Sequence, residues 1–401
     1  MARRILLIAL VGLVVAAMAY VVRHEIQDVP RPIRIGILHS LTGTMSQSET
    51  EVVRATMLAI DEINDAGGLL GRQLDPVIAD GRSDWPTFAE EAEKLIEKKE
   101  VVVLFGCWTS ASRKTVKPVV EKHDHLLFYP LQYEGLETSP CIVYTGAAPN
   151  QQILPGALWA HANLGKRFFL VGSDYVYPRT ANTILRDLLG AIGAEVVGEE
   201  YVLLGSNEVK SMVDKIVETR PDVVLNNIIG PTNGPFFHEL RSRGITPIQM
   251  PTLSFGFGEP ELAGMDVQML VGDYAAWNYF QTVRSEENES FIDRFKAKYG
   301  DTAVTSDPME AAYFGVHLWA KTVSECGTTN PGIVRSEIRG QSYRAPEGMV
   351  SIDSENLHTW KTARVGRIRP DGQFDVIWDS ENPIRPLPFP ISRDGGRALD
   401  H

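Results

Sequence analysis

Residues 101–132, "VVVLFGCWTSASRKTVKPVVEKHDHLLFYPLQ", decide the fold. The run "VVVLFG" is apolar and stops at a glycine, as a buried strand does. "SRKTVKPVVEKH" has the mixed character of an amphipathic helix, and "LLFYPL" is a second apolar run. Strand, helix and strand in so short a stretch form a βαβ unit, which requires a parallel sheet. Between the first strand and the helix stand Cys107, Trp108, Thr109, Ser110, Ala111 and Ser112. A plain connection has no use for a tryptophan beside three hydroxyls, whereas a surface that holds a small polar molecule does.

The same alternation extends in both directions. Upstream, "IRIGILHS" reads as a strand, and a helix follows with apolar spacing through Val53, Met57, Ile60 and Ile63 before Gly67-Gly68 stop it. "QLDPVIAD" and "CIVYTG" add strands on either side of the opening unit. A second series begins at "RFFLVGSD" and continues with the helix "TANTILRDLLGAIG" and the strands "EVVGEEYV", "DVVLNNIIG", "MPTLSF" and "QMLVGDYAAW". Two α/β series in succession predict two doubly wound lobes with a cleft between them. Two further helices, "NESFIDRFKAKYG" and "DPMEAAYFGVHLWAKTVSEC", precede a β-rich tail with a hairpin at Asp371-Gly372. A proline-rich strap ends the chain.

Bulk properties narrow the function. At 401 residues the chain exceeds what one core usually organises, in keeping with two lobes. A formal charge of −12 and no basic stripe exclude nucleic acid as a partner class. Cys107, Cys141 and Cys326 lack the spacing of a zinc site or a redox pair and are read as small buried hydrophobes, a Cys107–Cys141 bridge being the alternative. The N-terminus has two arginines, an apolar run from Ile5 to Val22, and then charge, the layout of an export signal or an uncleaved membrane anchor. Ala17-Met18-Ala19 offers a cleavage site, yet the run of roughly 18 residues is also about long enough to span a bilayer. No cysteine follows it, so a lipoprotein anchor is excluded. The remainder is expected outside the cytoplasm, as a soluble or tethered periplasmic protein.

In open parallel sheets ligands lie beyond the carboxyl ends of the strands. Those ends carry Trp108, Thr109 and Ser110; Gln132, Tyr133 and Glu134; Ser173, Asp174, Tyr175 and Tyr177; Asn226 and Asn227; Asp273 and Tyr274. They are aromatic and hydrogen-bonding, and none is basic. No phosphate-cradling motif occurs, and no paired anchors for an amino acid stand out. A small neutral amide suits such a surface: Asp174 and Glu134 accept its N–H groups, Ser110 or Gln132 donates to its oxygen, and Trp108 and Tyr129 cover its faces. No nucleophile elbow is present, no histidine is placed to activate Cys107, and His123-Asp124-His125 falls at the far end of the sheet as a polar turn. Neither catalytic residues, nor a metal, nor a cofactor is expected. Asn288 in "NES" reads as a helix-start cap rather than a glycosylation acceptor.

The blocks "GILHSLTGTM", "DGRSDWPTFAEEAEKL", "FGCWTSASRK", "YPLQYEGLE", "GSDYVYPRT", "AAWNYF" and "APEGMVSIDSENLHTWK" resemble the urea-binding periplasmic proteins of ABC importers, of the branched-chain amino-acid type. They are similar, less closely, to the amide-sensing regulators of amidase operons. The resemblance runs from Ile33 to Pro390. It implies two lobes joined by a three-segment hinge: 33–149 with 279–346, and 150–278 with 347–380, preceded by a signal or anchor in 1–25 and followed by an extended tail in 381–401. It further implies that Trp108, Ser110, Tyr129 and Gln132 line the first-lobe wall, while Tyr175 and Tyr177 close from the second. Asp174 joins this set from its strand-end position alone. Trp108 points to the urea branch, since the amide regulators tend to have tyrosine there. The implied function is capture of urea and delivery to an inner-membrane ABC permease, with a sensor of urea or short-chain amides as the alternative.

Overall fold

The computed structural model describes residues 31–390, together with Met18. The signal or anchor expected in residues 1–25 otherwise lies outside the described residues, as does the tail beyond Pro390. Among the described residues no helix is long and apolar enough to cross a membrane.

The first lobe is built on a five-stranded parallel sheet in the order β2-β1-β3-β4-β5. Its strands are β1 (Ile33–His39), β2 (Leu74–Asp80), β3 (Leu104–Gly106), β4 (Leu127–Tyr129) and β5 (Ile142–Tyr144). Ile33, Ile35 and Ile37 alternate along β1 toward one face, where α1 (Ser46–Asp65) and the long helix Asp307–Cys326 cover them. Leu38 and Leu104 face the other side, against α2 (Trp85–Glu97) and α3 (Ser110–Lys122).

The second lobe has seven strands in the order β15-β14-β10-β9-β8-β6-β7. Five of them, β6 (Arg167–Ser173), β7 (Glu195–Val202), β8 (Val223–Asn227), β9 (Thr252–Ser254) and β10 (Tyr274–Trp277), run parallel. The hairpin of β14 (Arg364–Ile368) and β15 (Phe374–Asp379) adds antiparallel at one edge, with Gly372 at positive φ in its turn. Period-2 alternation sorts β6: Phe168 and Leu170 pack under α4 (Ile153–Asn163) and α5 (Val176–Ala191). Phe169 and Val171 pack under α6 (Lys210–Thr219) and α7 (Asn233–Ser242).

Three crossings join the lobes, and one side chain ties them. Buried Asn278, just past β10, donates through Nδ2 to the carbonyls of Gln151 and Thr362, each at 3.0 Å. The expected boundary at 347 needs correction. β11 (Ser342–Ala345), β12 (Gly348–Ile352) and β13 (Thr359–Trp360) form their own antiparallel sheet, and the Leu357 carbonyl accepts the Tyr144 amide of β5. Backbone pairing therefore keeps residues 348–360 with the first lobe, and the chain joins the second sheet only at β14.

Candidate ligand-binding cleft

The loop after β3 is shaped by close approach. A Cβ on Gly106 would lie 2.2 Å from the Leu38 carbonyl, so only glycine lets β3 pass β1 and turn out of the sheet. Thr109 then caps α3, its Oγ1 accepting the Ser112 amide at 3.0 Å. This turn leaves Trp108 half-buried at the junction, touching hydrophobic clusters of both lobes. Tyr129, at the end of β4, donates its hydroxyl to the Trp108 carbonyl at 2.8 Å and so fixes the loop. Ser110, buried at the start of α3, accepts from Arg113 at 3.2 Å.

Gln132 reaches across the cleft. Its Nε2 donates to the Phe255 carbonyl of the second lobe at 3.0 Å, while its Oε1 has no hydrogen-bond partner among the described residues. The hydroxyl of Tyr177, also buried, is likewise without a partner among them. Burial, the largest cause, pushes the Tyr177 hydroxyl above its usual range; the Gln132 side chain, within hydrogen-bonding reach though not aligned for a full bond, opposes this, and the Glu134 charge adds to it. Tyr175 packs 6.5 Å from Tyr177 and 6.4 Å from Trp85, which approaches from the first lobe. Trp108 and Gln132 also border a cavity of about 20 Å³ with Ile229, Trp277 and Ser306. That cavity shares Ser48, Glu51, Pro260 and Glu261 with a wider interlobe groove of about 490 Å³.

The structure thus brings Trp108, Ser110, Tyr129, Gln132, Tyr175 and Tyr177 to one region. Asp174 is a correction. Its side chain is 37% exposed and bound to Arg179 at 2.5 Å, because α5 starts at once and turns Asp174 outward onto its own first turn. Asp273 and Tyr274 need a second correction: the strand runs Tyr274–Trp277, so both stand at its start, the end away from the cleft. Asp273 is buried there against Arg241 at 2.5 Å and the Thr252 amide at 2.8 Å.

Sequence reasoning missed Arg113. It is fully buried, with its guanidinium 4.9 Å from the Tyr129 ring and 4.6 Å from the Tyr133 ring, and it pairs with Glu134 and Glu137. Its spacing of three from Ser110 on a helix was the available signal. Trp85 was passed over as well, although "DWP" at a helix start follows the end of β2.

A periplasmic binding protein domain matches residues 33–394. The chain belongs to that family. It is a solute-binding protein with the type I α/β fold, and the family's place is the periplasm. Among sequence relatives, the leucine-, isoleucine-, valine-, threonine- and alanine-binding protein of Pseudomonas aeruginosa is 23% identical over 332 residues, 80% of this chain and 86% of the relative. A Geobacillus stearothermophilus protein named limonene hydroxylase is 30% identical over 125 residues, but this covers 31% of the chain and only 23% of that protein. Two solved structures share the fold. One is a solute-binding protein of Rhodopseudomonas palustris in complex with 3,4-dihydroxybenzoic acid, with TM-score 0.80, 18% identity, and coverage of 88% of this chain and 98% of that one. The other is a branched-chain amino acid transporter binding protein of Streptococcus pneumoniae in complex with isoleucine, with TM-score 0.74, 22% identity, and coverage of 88% and 100%.

Other reactive groups of this binding protein are tied up. All three cysteines are free thiols; Cys107 is buried, and burial pushes it far above the thiol range, so it stays a neutral packing residue. His125 is buried against the Val101 carbonyl, and Asp124 pairs with Arg335 at 2.7 Å. His123 instead meets Glu93 and Glu97 on α2, their ligand-type atoms within 4.8 Å, but the Lys122 ammonium already sits 2.6 Å from Glu93. The helix-start cap expected at Asn288 is Ser285, which accepts the Asn288 amide at 3.1 Å.

Proposed function

We propose that the protein captures a small neutral amide, urea first, between its lobes and delivers it to an ABC permease. One observation carries this reading. Gln132 spans the cleft with Nε2 committed to the opposite lobe, which leaves Oε1 and the Tyr177 hydroxyl as buried polar atoms without partners among the described residues. Each such atom costs about 1–3 kcal/mol if left unsatisfied, so a ligand that supplies an N–H and accepts an O–H is selected by the site itself. The resemblance of residues 101–134 to urea receptors supports the same ligand. The relatives that carry leucine or a benzoate have carboxylate ligands, and they define the competing reading.

Titration calorimetry of the purified protein with urea, acetamide, formamide, leucine and 4-hydroxybenzoate tests the proposal. Urea is expected to bind most tightly, the other two amides more weakly, and the carboxylates not at all. Tighter binding of acetamide would move the protein to the short-chain amide sensors, and leucine binding would sink the amide reading.

A further inference from the structure

We infer that Glu134, backed by Arg113 and Lys114, is the residue that restricts the cleft to uncharged N–H donors and turns carboxylates away. This rests on the amide reading above and adds the ligand's charge and the group that enforces it. Glu134 is 1% exposed. Its Oε1 accepts from Arg113 at 3.2 Å and lies 3.3 Å from the Lys114 ammonium, whereas its Oε2 is buried without a hydrogen-bond partner among the described residues. The carboxylate joins the cleft wall through Arg113, whose guanidinium also donates to Ser110 at 3.2 Å and lies 4.9 Å from the Tyr129 ring, and Gln132, two residues before it, borders the small cavity.

Among the described residues Glu134 Oε2, Gln132 Oε1 and the Tyr177 hydroxyl meet no hydrogen-bond partner at full geometry, although the Gln132 side chain lies within reach of Tyr177. Two are acceptors only, and the Phe255 carbonyl holds the Gln132 amide in the orientation that keeps Oε1 free. A ligand with N–H groups and one carbonyl satisfies all three. A carboxylate brings acceptors only, so Glu134 Oε2 and Gln132 Oε1 would stay unpaired beside it. A cation is not favoured either. Three cations, Arg113, Lys114 and Lys117, already stand against the two acids Glu134 and Glu137, so a further cation gains no net attraction.

Calorimetry with urea, guanidinium chloride and sodium acetate on the wild-type protein and on Glu134→Gln tests this. The wild type is expected to bind urea at least 100-fold more tightly than guanidinium or acetate. Glu134→Gln should lose at least 30-fold in urea affinity and narrow the gap between urea and acetate, because its amide can donate. Urea affinity within threefold of wild type in Glu134→Gln would overturn the assignment while leaving the amide reading intact. Should that variant fail to fold, the wild-type series decides alone: acetate or guanidinium binding as tightly as urea overturns it. A wild type that takes leucine or 4-hydroxybenzoate but no urea overturns the amide reading, and this inference with it.

Discussion

Trp108 touches the hydrophobic clusters of both lobes, and its carbonyl is held by Tyr129, so it is both wall and spacer. Trp108→Ala should lower urea affinity more than about tenfold, since a half-buried aromatic contributes roughly 1.5–3 kcal/mol of contact. The fold should survive, which circular dichroism of the variant checks; unchanged affinity would remove Trp108 from the site. Asp174 gives the opposite expectation. An exposed ion pair on one helical turn is worth about 0–1 kcal/mol, so Asp174→Asn should leave urea affinity within about twofold and melting nearly unchanged. A large loss of affinity would return Asp174 to the cleft. The contrast shows what was legible at this scale. Residue type and strand-end position brought out Trp108, Gln132 and Tyr177, but orientation within a turn is not written in type, and it separates Asp174 from Tyr177. Arg113 was hidden by the converse problem. A basic residue inside a helix looks solvated unless the acids that bury it, Glu134 and Glu137, are known to fold back over it.

Elements were easier to find than to bound. The βαβ alternation located both sheets because buried strands are apolar runs, but "QMLVGDYAAW" overlaps a short turn of helix (Val267–Met269), and β10 starts only at Tyr274. The segment 348–360 was assigned to the wrong lobe because strand pairing is non-local. Its turn carries His358, stacked 4.0 Å from Tyr144 and bonded at 2.6 Å to the Tyr133 hydroxyl. Burial pushes His358 down to about 4, against the raising effect of the Asn356 carbonyl and with help from nearby Arg113. The unfolded chain takes up this proton near pH 6.5 and the folded one only near pH 4. Its contribution to stability is therefore full above pH 6.5 and is lost as pH falls toward 4, by about 3 kcal/mol in total. Urea-free denaturation by guanidinium at pH 7, 6 and 5 should show this slope, and His358→Asn should flatten it. Equal slopes in both proteins would mean that His358 charges freely in the folded state.

The whole molecule joins a polar, buried hinge to a cleft closed chiefly by apolar contacts, Met45, Trp85 and Trp108 of the first lobe packing on the second. Across the cleft run the bond from Gln132 to the Phe255 carbonyl and a 3.3 Å contact from Ser48 to Glu261. At the hinge, Asn278 joins all three crossings, and Lys361 is buried against Glu347 at 2.9 Å while donating to the Thr145 carbonyl. Such an arrangement lets the lobes part without loosening their connection, the condition for hinge closure. A ligand that binds only the closed form must then stabilise it by mass action. Urea at 100 times its dissociation constant should add about 2.7 kcal/mol to the unfolding free energy. It should also reduce the radius of gyration in solution scattering. Asn278→Ala separates the two effects: losing two buried bonds should cost about 2–3 kcal/mol of stability in the ligand-free protein, yet urea should still compact it, because no group that meets the ligand has changed. Scattering curves that are identical with and without urea in the wild type would count against closure. Curves that respond in the wild type but not in Asn278→Ala would make the tie between the crossings part of the closing motion itself.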